Sequence, residues 1–294
     1  MGAGSQLLQY CISGLTVGAI YAIVGLGFII IYNVTGMINF AQGEFAMMGG
    51  LLSAVLVQSN VPLPLAVFIA VALTTITGAV VFRVTIQPAR NATILSLVFI
   101  TLGVGTVLRG LALLIFGKTP RALPGFSGET PIPIFQAIIL PQALWIMGAT
   151  IVIVVLFYLF LNRTFIGTAF KACAINPYAA ELVGIGTQRM ALLAFTIAGL
   201  LGALAGALTA PLSLASYDLG PLLGIKGFIA AIFGGLTNPF GTIAAGIMIG
   251  VLESLCAGYI SSGYKEALAL IVLLGVLGLR PEGLFSRRRE VSGL

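Results

Sequence analysis

The chain has 294 residues, of which 59% are hydrophobic and 7% are charged, and its mean hydropathy is +1.15. About a quarter of the residues of a soluble domain are charged, so this composition excludes a soluble protein and indicates an integral membrane protein. The net charge is +6, but the basic residues lie between apolar runs and at the C-terminal end, without the basic stripe of a nucleic-acid-binding protein. The absence of His excludes a Ser-His-Asp triad, a Cys-His pair and a His-ligated zinc.

Long apolar runs predict a bundle of membrane-crossing helices, since a helix needs about 20 apolar residues to cross a bilayer. Eight runs are interpreted as spans: 7–31, 36–57, 63–82, 93–116, 140–161, 190–210, 241–259 and 267–279. A ninth run, 222–236, is shorter, and we expect either a tilted short span or a re-entrant segment there. The predicted fold is an all-α polytopic transmembrane bundle of eight or nine spans, and a single domain accounts for residues 1–294.

The Lys and Arg residues between the runs predict the orientation of the bundle. The basic tail 280–294 contains four Arg and is expected in the cytoplasm, because cytoplasmic loops are rich in Lys and Arg. Nine crossings put the loop 83–90 and the segment 163–189 on the same side as the tail, and 118–141 on the other side. The N-terminus is then periplasmic, whereas eight crossings would make it cytoplasmic.

Many of the 38 glycines are spaced four residues apart, which lets helices approach closely. Examples are the pairs Gly14 and Gly18, Gly202 and Gly206, Gly220 and Gly224, and Gly246 and Gly250. We expect these faces to pack within one chain, and an interface between two chains is the alternative.

Polar side chains inside the apolar runs are candidates for function, because a charge at membrane depth is costly. Glu44 follows Asn39 and Gln42 in a stretch that is flanked by glycine. We expect these three side chains to contact a substrate pathway. The alternative is a buried hydrogen-bond network that braces the bundle.

Three further ionisable residues lie in or beside the runs. Lys226 and Glu253 are included as pathway candidates, although a structural ion pair between them is the simpler interpretation. Arg109 lies about two turns from the outer end of its run, and its side chain is expected to snorkel towards the membrane surface.

The stretch 170–185 predicts a short helix on the cytoplasmic side. Asn176 is suited to cap it, Pro177 to open it and Gly184 to end it. Its apolar side chains have no membrane to cover them, so we expect them to dock into a groove on another protein; they are Tyr178, Leu182 and Val183. The alternative is a helix that lies flat on the membrane surface.

The chain has no nucleotide-binding motif of its own. Residues 117–119 read Gly-Lys-Thr, but Ala112 stands where a phosphate-binding loop requires Gly. Any use of ATP would therefore need partner subunits. The three cysteines are scattered singly and form no metal or redox motif; they are Cys11, Cys173 and Cys256.

Several stretches of the chain, taken together, resemble a known family. Residues 37–45 read MINFAQGEF, 171–174 read KACA, 182–185 read LVGI, 234–235 read GG and 280–285 read RPEGLF. In this order and spacing they are similar to the LivH-type permeases of branched-chain amino acid ABC importers. Gln42 departs from this pattern, because many members have His at that position.

The resemblance implies a bacterial inner-membrane permease that translocates branched-chain or related amino acids. The implied partners are a second, related permease, two cytoplasmic ATPase subunits, an extracytoplasmic binding protein and membrane lipid, with no nucleic acid. It implies transport without catalytic residues, metal or cofactor in this chain. The segment 163–189 would couple the permease to the ATPases, and its coupling residues would be Lys171, Asn176, Pro177, Ala179, Ala180, Leu182 and Gly184.

Two other function classes are compatible with parts of the sequence. A self-contained secondary transporter or channel would use Glu44 and the glycine-rich helix breaks, but would have no need of a docking helix. An intramembrane enzyme would need a nucleophile paired with a base, or a metal cluster, and this chain suggests neither.

Overall fold

The computed structural model describes residues 3–89, 91–128, 130–134, 137–279 and 283–285. Its α-helices are α1 Ala3–Thr35, α2 Gln42–Gln58, α3 Leu63–Val81, α4 Ile94–Phe116, α5 Pro141–Arg163, α6 Phe165–Ile175, α7 Pro177–Leu182, α8 Thr187–Ser213, α9 Leu219–Gly234, α10 Pro239–Tyr259 and α11 Lys265–Leu279. A π-helical turn, Phe82–Ile86, extends α3, and a 3-10 turn, Ser262–Tyr264, precedes α11. Arg90 and the basic tail, apart from 283–285, lie outside the described residues.

The helix α1 is the centre of the bundle. Its residues from Ala19 to Ile31 are all buried, and a helix that is apolar on every side is stable only when other helices surround it. It packs against α8, α9 and α10, and more narrowly against α5 and α6. This arrangement confirms the predicted helical bundle.

Six helices in the described part of the chain are long and apolar enough to cross a membrane. They are α1, α3 with its π-helical turn, α4, α5, α8 and α10. The apolar helix α9 has 16 residues and spans about 24 Å, which is less than the ~30 Å of a bilayer core. The ninth run is therefore short, as predicted, while the total of nine crossings stays a prediction.

The glycine pairs pack within the chain, as we expected. A Cβ on Gly18 would lie 2.7 Å from the Cα of Ile247, and a Cβ on Gly14 would lie 2.5 Å from the Cα of Val251. Real Cβ atoms do not approach backbone this closely, so α1 and α10 can pack at this distance only with glycine at the contact.

The start of α2 differs from the prediction, which placed a single span over 36–57. Residues 36–41 are not helical, and Gly36 has a φ of +69°, which interrupts the right-handed helix after α1. The side chain of Gln42, the first residue of α2, donates a hydrogen bond to the carbonyl of Ala198. Ala198 lies about 16 Å into α8, so α2 begins beside the middle of α8 instead of at its end.

The polar connection between α4 and α5 contains two short strands, Ile132–Ile134 and Ala137–Ile139. They pair in antiparallel register, with Ile132 opposite Ile139. The side chain of Gln9 both donates to and accepts from the backbone of Ile138. The hairpin is therefore attached to the first turns of α1, at the end of the bundle opposite to α6 and α7.

Candidate functional site

A non-helical connection between α1 and α2 passes through the interior of the bundle. Met37, Asn39 and Ala41 are fully buried. Backbone without helical hydrogen bonds survives at such depth only where protein or enclosed water satisfies it. Two side chains partly do so: Asn39 Oδ1 accepts from the amide of Ala41, and Thr101 Oγ1 on α4 accepts from the amide of Phe40.

An ion pair joins the start of α2 to α4. In the first turn of α2, Glu44 Oε1 accepts hydrogen bonds from Arg109 Nη2 at 2.7 Å and from Arg109 Nε at 3.3 Å. The two side chains differ in exposure, because that of Glu44 is 3% exposed and that of Arg109 is 38% exposed. The expectation that Arg109 snorkels to the surface is therefore wrong: its guanidinium turns inward, because the Glu44 carboxylate offers a charged acceptor.

The first turns of α2 and α9 meet at the Glu44 carboxylate. Glu44 Oε2 occupies the place that a Cβ on Gly220 would take, and a Cβ on Gly43 would be 2.8 Å from the backbone of Gly224. The N-terminal end of a helix carries partial positive charge. Glu44 thus places its negative charge between two helix N-termini and the guanidinium of Arg109, which all favour a carboxylate.

The buried stretch from Asn39 to Glu44 contains polar atoms that no described residue satisfies. Asn39 Nδ2, Gln42 Oε1 and Glu44 Oε2 are buried and have no hydrogen-bond partner among the described residues. A buried polar atom without a partner is costly and rare. Unsatisfied groups of this kind are what a solute or water in a transport path would meet. Gln42 and Glu44 nevertheless face different helices, because the amide of Gln42 contacts α8 and the carboxylate of Glu44 contacts α4 and α9. The three predicted pathway residues are buried in the same short stretch, and no hydrogen bond joins their side chains in the described part of the chain.

Lys226 and Glu253 form a second ion pair, and the expectation that they pair is confirmed. Lys226 Nζ on α9 donates to Glu253 Oε1 on α10, and the hydroxyl of Tyr21 on α1 donates to Glu253 Oε2 at 2.8 Å. All three side chains are buried, and both carboxylate oxygens have partners. Their contacts join three helices, which is the geometry of a brace.

The segment between α5 and α8 folds as two short helices. The predicted helix is confirmed as α7: Asn176 Oδ1 accepts from the amide of Ala179, Pro177 is its first residue, and Gly184 follows its end with a φ of +87°. The preceding helix α6 was not expected. It includes Lys171, whose Nζ donates to Asn162 Oδ1 at 2.6 Å.

One face of α7 holds the segment to the bundle and the other is open. Ala180 is buried, whereas Ala179 is exposed. Four large apolar side chains in and beside α7 are exposed: Ile175 at 77%, Tyr178 at 80%, Leu182 at 89% and Val183 at 76%; Phe165, at the start of α6, is also exposed. We call these four residues the docking face.

A cavity of about 390 Å³ lies between the segment that contains α6 and α7 and the α1–α2 connection. Thr35 and Met37 line it on one side, and Cys173, Pro177 and Thr187 line it on the other. The segment and the start of the α1–α2 connection are therefore walls of the same cavity.

Sequence reasoning missed two residues of these sites. Arg109 was identified as a charge in a span, but nothing near it in the chain indicates Glu44 as its partner. Tyr21 lies in an apolar helix, where its hydroxyl was the one signal that it needs a hydrogen-bond partner. In the part of the chain that the structure describes, no three His, Cys, Asp or Glu side chains are grouped to hold a metal ion.

The chain is similar over nearly its whole length to known transport proteins. A sequence model of the family described as "Branched-chain amino acid transport system / permease component" matches residues 10–277. The permease protein LivH of Salmonella typhimurium, named for high-affinity branched-chain amino acid transport, is 30% identical, with 95% of this chain and 96% of LivH covered. The corresponding protein BraD of Pseudomonas aeruginosa is 30% identical over the same shares of the two chains.

Two further proteins are less similar to this chain. One is named for the import of a different solute, and the other is similar in its fold. The ribose import permease RbsC of Haemophilus influenzae is 28% identical, with 88% of this chain and 81% of RbsC covered. A solved structure, PsaBC from Streptococcus pneumoniae in complex with Fab, superimposes with a TM-score of 0.51 at 14% identity, covering 94% of this chain and 92% of that one. The structural match supports the fold alone.

Proposed function

This chain belongs to the branched-chain amino acid transport permease family, and from that premise we propose that it is the membrane-spanning subunit of an ATP-driven importer. The proposed cargo is a branched-chain or related amino acid that an extracytoplasmic binding protein delivers. The names of LivH and BraD support this substrate class. Because a ribose permease is also similar, the substrate depends on the residues of the path and on the binding protein, and not on the fold.

The observation that carries this proposal is the docking face. Large apolar side chains are exposed along the membrane-spanning helices, where lipid would cover them, but four more are exposed on a short capped segment outside the spans. Exposed apolar groups on a rigid helix are typical of a surface that inserts into a groove of another protein. This chain lacks a nucleotide-binding motif, so the partner that fits is a separate ATPase subunit.

The proposed assembly follows from the family and from the charges. It contains this chain, a second related permease, two ATPase subunits and the binding protein. The chain is a multi-pass membrane protein, and we place it in a bacterial inner membrane with the segment 163–189 and the C-terminus in the cytoplasm, because Lys and Arg are concentrated there. The whole of 1–294 is assigned to one membrane domain.

The proposed coupling residues have two roles: some position the helices α6 and α7, and others contact the ATPase. Asn176, Pro177 and Gly184 set the ends of α7, Ala180 fixes it to the bundle, and Lys171 fixes α6 to Asn162. Ala179 and Leu182 are free to meet the ATPase. Residues of α7 and of the α1–α2 connection line the same cavity. This supports the idea that a movement of α7 is transmitted to the connection.

We assign the path to Asn39, Gln42 and Glu44, where buried polar atoms lack partners. Lys226 and Glu253 have their polar atoms paired with each other and with Tyr21. We therefore interpret this second pair as a brace beside the path. On this assignment the transported solute meets the first turn of α2.

The test is ATP-dependent leucine uptake by the assembled complex in proteoliposomes, with Leu182→Asp compared with Leu182→Met. Leu182 is 89% exposed, so neither change should alter the stability of the chain by more than about 0.5 kcal/mol. A carboxylate in the docking groove should lower uptake by about 10-fold or more, whereas Met should preserve it. Normal uptake with Asp, or uptake that persists when the ATPase subunits are omitted, would favour a secondary transporter.

A further inference from the structure

The side chain of Arg109 lies within the length of a membrane-spanning helix. One edge of its guanidinium contacts Glu44, and the side chain is 38% exposed. It lies seven residues before the end of α4, about 10 Å inside the helix end. Val107 and Leu111 lie on the opposite side of α4 from Arg109, and they are exposed and apolar. A guanidinium at this depth does not face lipid without a large cost. The exposed side of Arg109 must therefore face water or protein.

Glu44 satisfies only part of the guanidinium. The Nε and Nη2 atoms donate to Glu44 Oε1, and Nη1 has no acceptor among the described residues. A guanidinium has five N–H donors in a planar fork, and its preferred ligand is a carboxylate held by two parallel hydrogen bonds. The open edge of Arg109 has the donors for one more carboxylate oxygen pair.

Glu44 itself is not free to move to the surface. Its carboxylate is buried against the first turn of α9, where Gly220 leaves the space that Oε2 fills. It therefore holds the guanidinium by its Nε and Nη2 atoms and leaves Nη1 free on the partly exposed side. A solute with a carboxylate would find the free donors of a cation on this side of α4.

From this geometry we propose that Arg109 binds the carboxylate of the transported solute, and that Glu44 is the positioning residue that holds it. The proposal rests on the proposed function, because it assumes that the open side of α4 faces the transport path. It assigns the solute to the carboxylate-bearing class, which includes the α-amino acids, and it distinguishes this path from one that carries an uncharged solute such as a sugar.

The first test compares Arg109→Gln with the double variant Glu44→Gln/Arg109→Gln in proteoliposomes that contain the complete complex and the leucine-loaded binding protein. If Arg109 contacts the solute, uptake falls by about 10- to 100-fold in both, as expected for the loss of a charged hydrogen bond. If the pair only neutralises its own charges, the double variant removes both charges and regains wild-type uptake. That recovery would overturn the proposal.

The second test uses Arg109→Cys and does not depend on the pair. The chain carries Cys11→Ser, and the two remaining cysteines are buried; burial also raises the pKa of the Cys173 thiol, which makes it less reactive. Water-soluble aminoethyl methanethiosulfonate should modify residue 109 and restore uptake by adding a cation. The sulfonatoethyl reagent should modify it without restoring uptake.

Phe68→Cys on α3 is the matched control, because Phe68 is 70% exposed among apolar neighbours and is expected to face lipid, where a thiol does not react. Absence of reaction at residue 109, or equal uptake after both reagents, would overturn the assignment of Arg109. Wild-type uptake in the same vesicles reports separately on the proposed function. A complex that moves neither leucine nor any related amino acid that the binding protein delivers would refute that function whatever residue 109 does.

Discussion

Two ion pairs lie in the described part of this bundle, and they differ in how completely the protein surrounds them. The side chains of Lys226 and Glu253 are 5% and 6% exposed, and a hydroxyl from a third helix completes the carboxylate. In the other pair, Glu44 is 3% exposed while Arg109 is 38% exposed, and one oxygen of Glu44 has no described partner. The same chemistry is thus fully paired where the bundle closes around it and keeps polar atoms without described partners where the bundle is open.

The difference follows from the helices that carry the pairs. Tyr21, Lys226 and Glu253 lie on α1, α9 and α10, which pack closely through glycine contacts. Arg109 lies on α4, which contacts the bundle through a narrow stripe made by Thr101, Gly105 and Ala112. A helix that packs along one stripe leaves both sides of that stripe open.

The largest effect is expected from breaking the closed pair. Glu253→Ala leaves the Lys226 ammonium buried without a partner, which should lower the free energy of unfolding by about 3–5 kcal/mol. Thermal unfolding of the purified chain in detergent measures this loss. Replacing the three polar groups together, as Tyr21→Phe/Lys226→Met/Glu253→Met, should recover most of the stability, and a triple variant as unstable as Glu253→Ala would contradict the brace.

An intermediate effect is expected from Tyr21→Phe. The change removes the hydrogen bond to Glu253 Oε2 and leaves that oxygen buried without a donor, which should cost about 2 kcal/mol. The matched control is Tyr10→Phe, because Tyr10 lies on the same helix and contacts the ring of Tyr259. Equal unfolding temperatures for the two variants would mean that the hydroxyl of Tyr21 contributes nothing to the closed pair.

Of these variants, Glu44→Gln is expected to have the smallest effect on stability. Its effect on transport should be large in comparison with that effect on stability. The amide oxygen still accepts from Arg109, and Arg109 is partly exposed, so the free energy of unfolding should change by about 1 kcal/mol or less. Leucine uptake should nevertheless fall, because the guanidinium loses the charge that holds it in place. A loss of stability as large as that of Glu253→Ala, or unchanged uptake, would remove the contrast between the two pairs.

Local patterns predicted the elements that depend on neighbouring residues. The run 93–116 corresponds to α4 Ile94–Phe116, and Asn176, Pro177 and Gly184 delimit α7 as expected. These features could be predicted because hydropathy over one helix length and capping within one turn are properties of adjacent side chains.

The start of α2 could not be predicted in this way. Residues 36–41 are as apolar as a span, yet they are not helical, because Gly36 turns the chain and the buried side chains of Asn39 and Thr101 satisfy backbone groups there. Hydropathy records how buried a segment is and carries no information about whether neighbouring helices complete its hydrogen bonds.

The sequence alone determined that this is a helical membrane protein with a short capped helix between two spans and a few costly charges within its spans, because each of these is a local property of composition and spacing. Only the tertiary structure decided which charges meet. Glu44 and Arg109 are 65 residues apart, and Tyr21 and Glu253 are 232 apart. Such contacts depend on the rotation and depth of each helix against its neighbours, which the packing of the whole bundle sets.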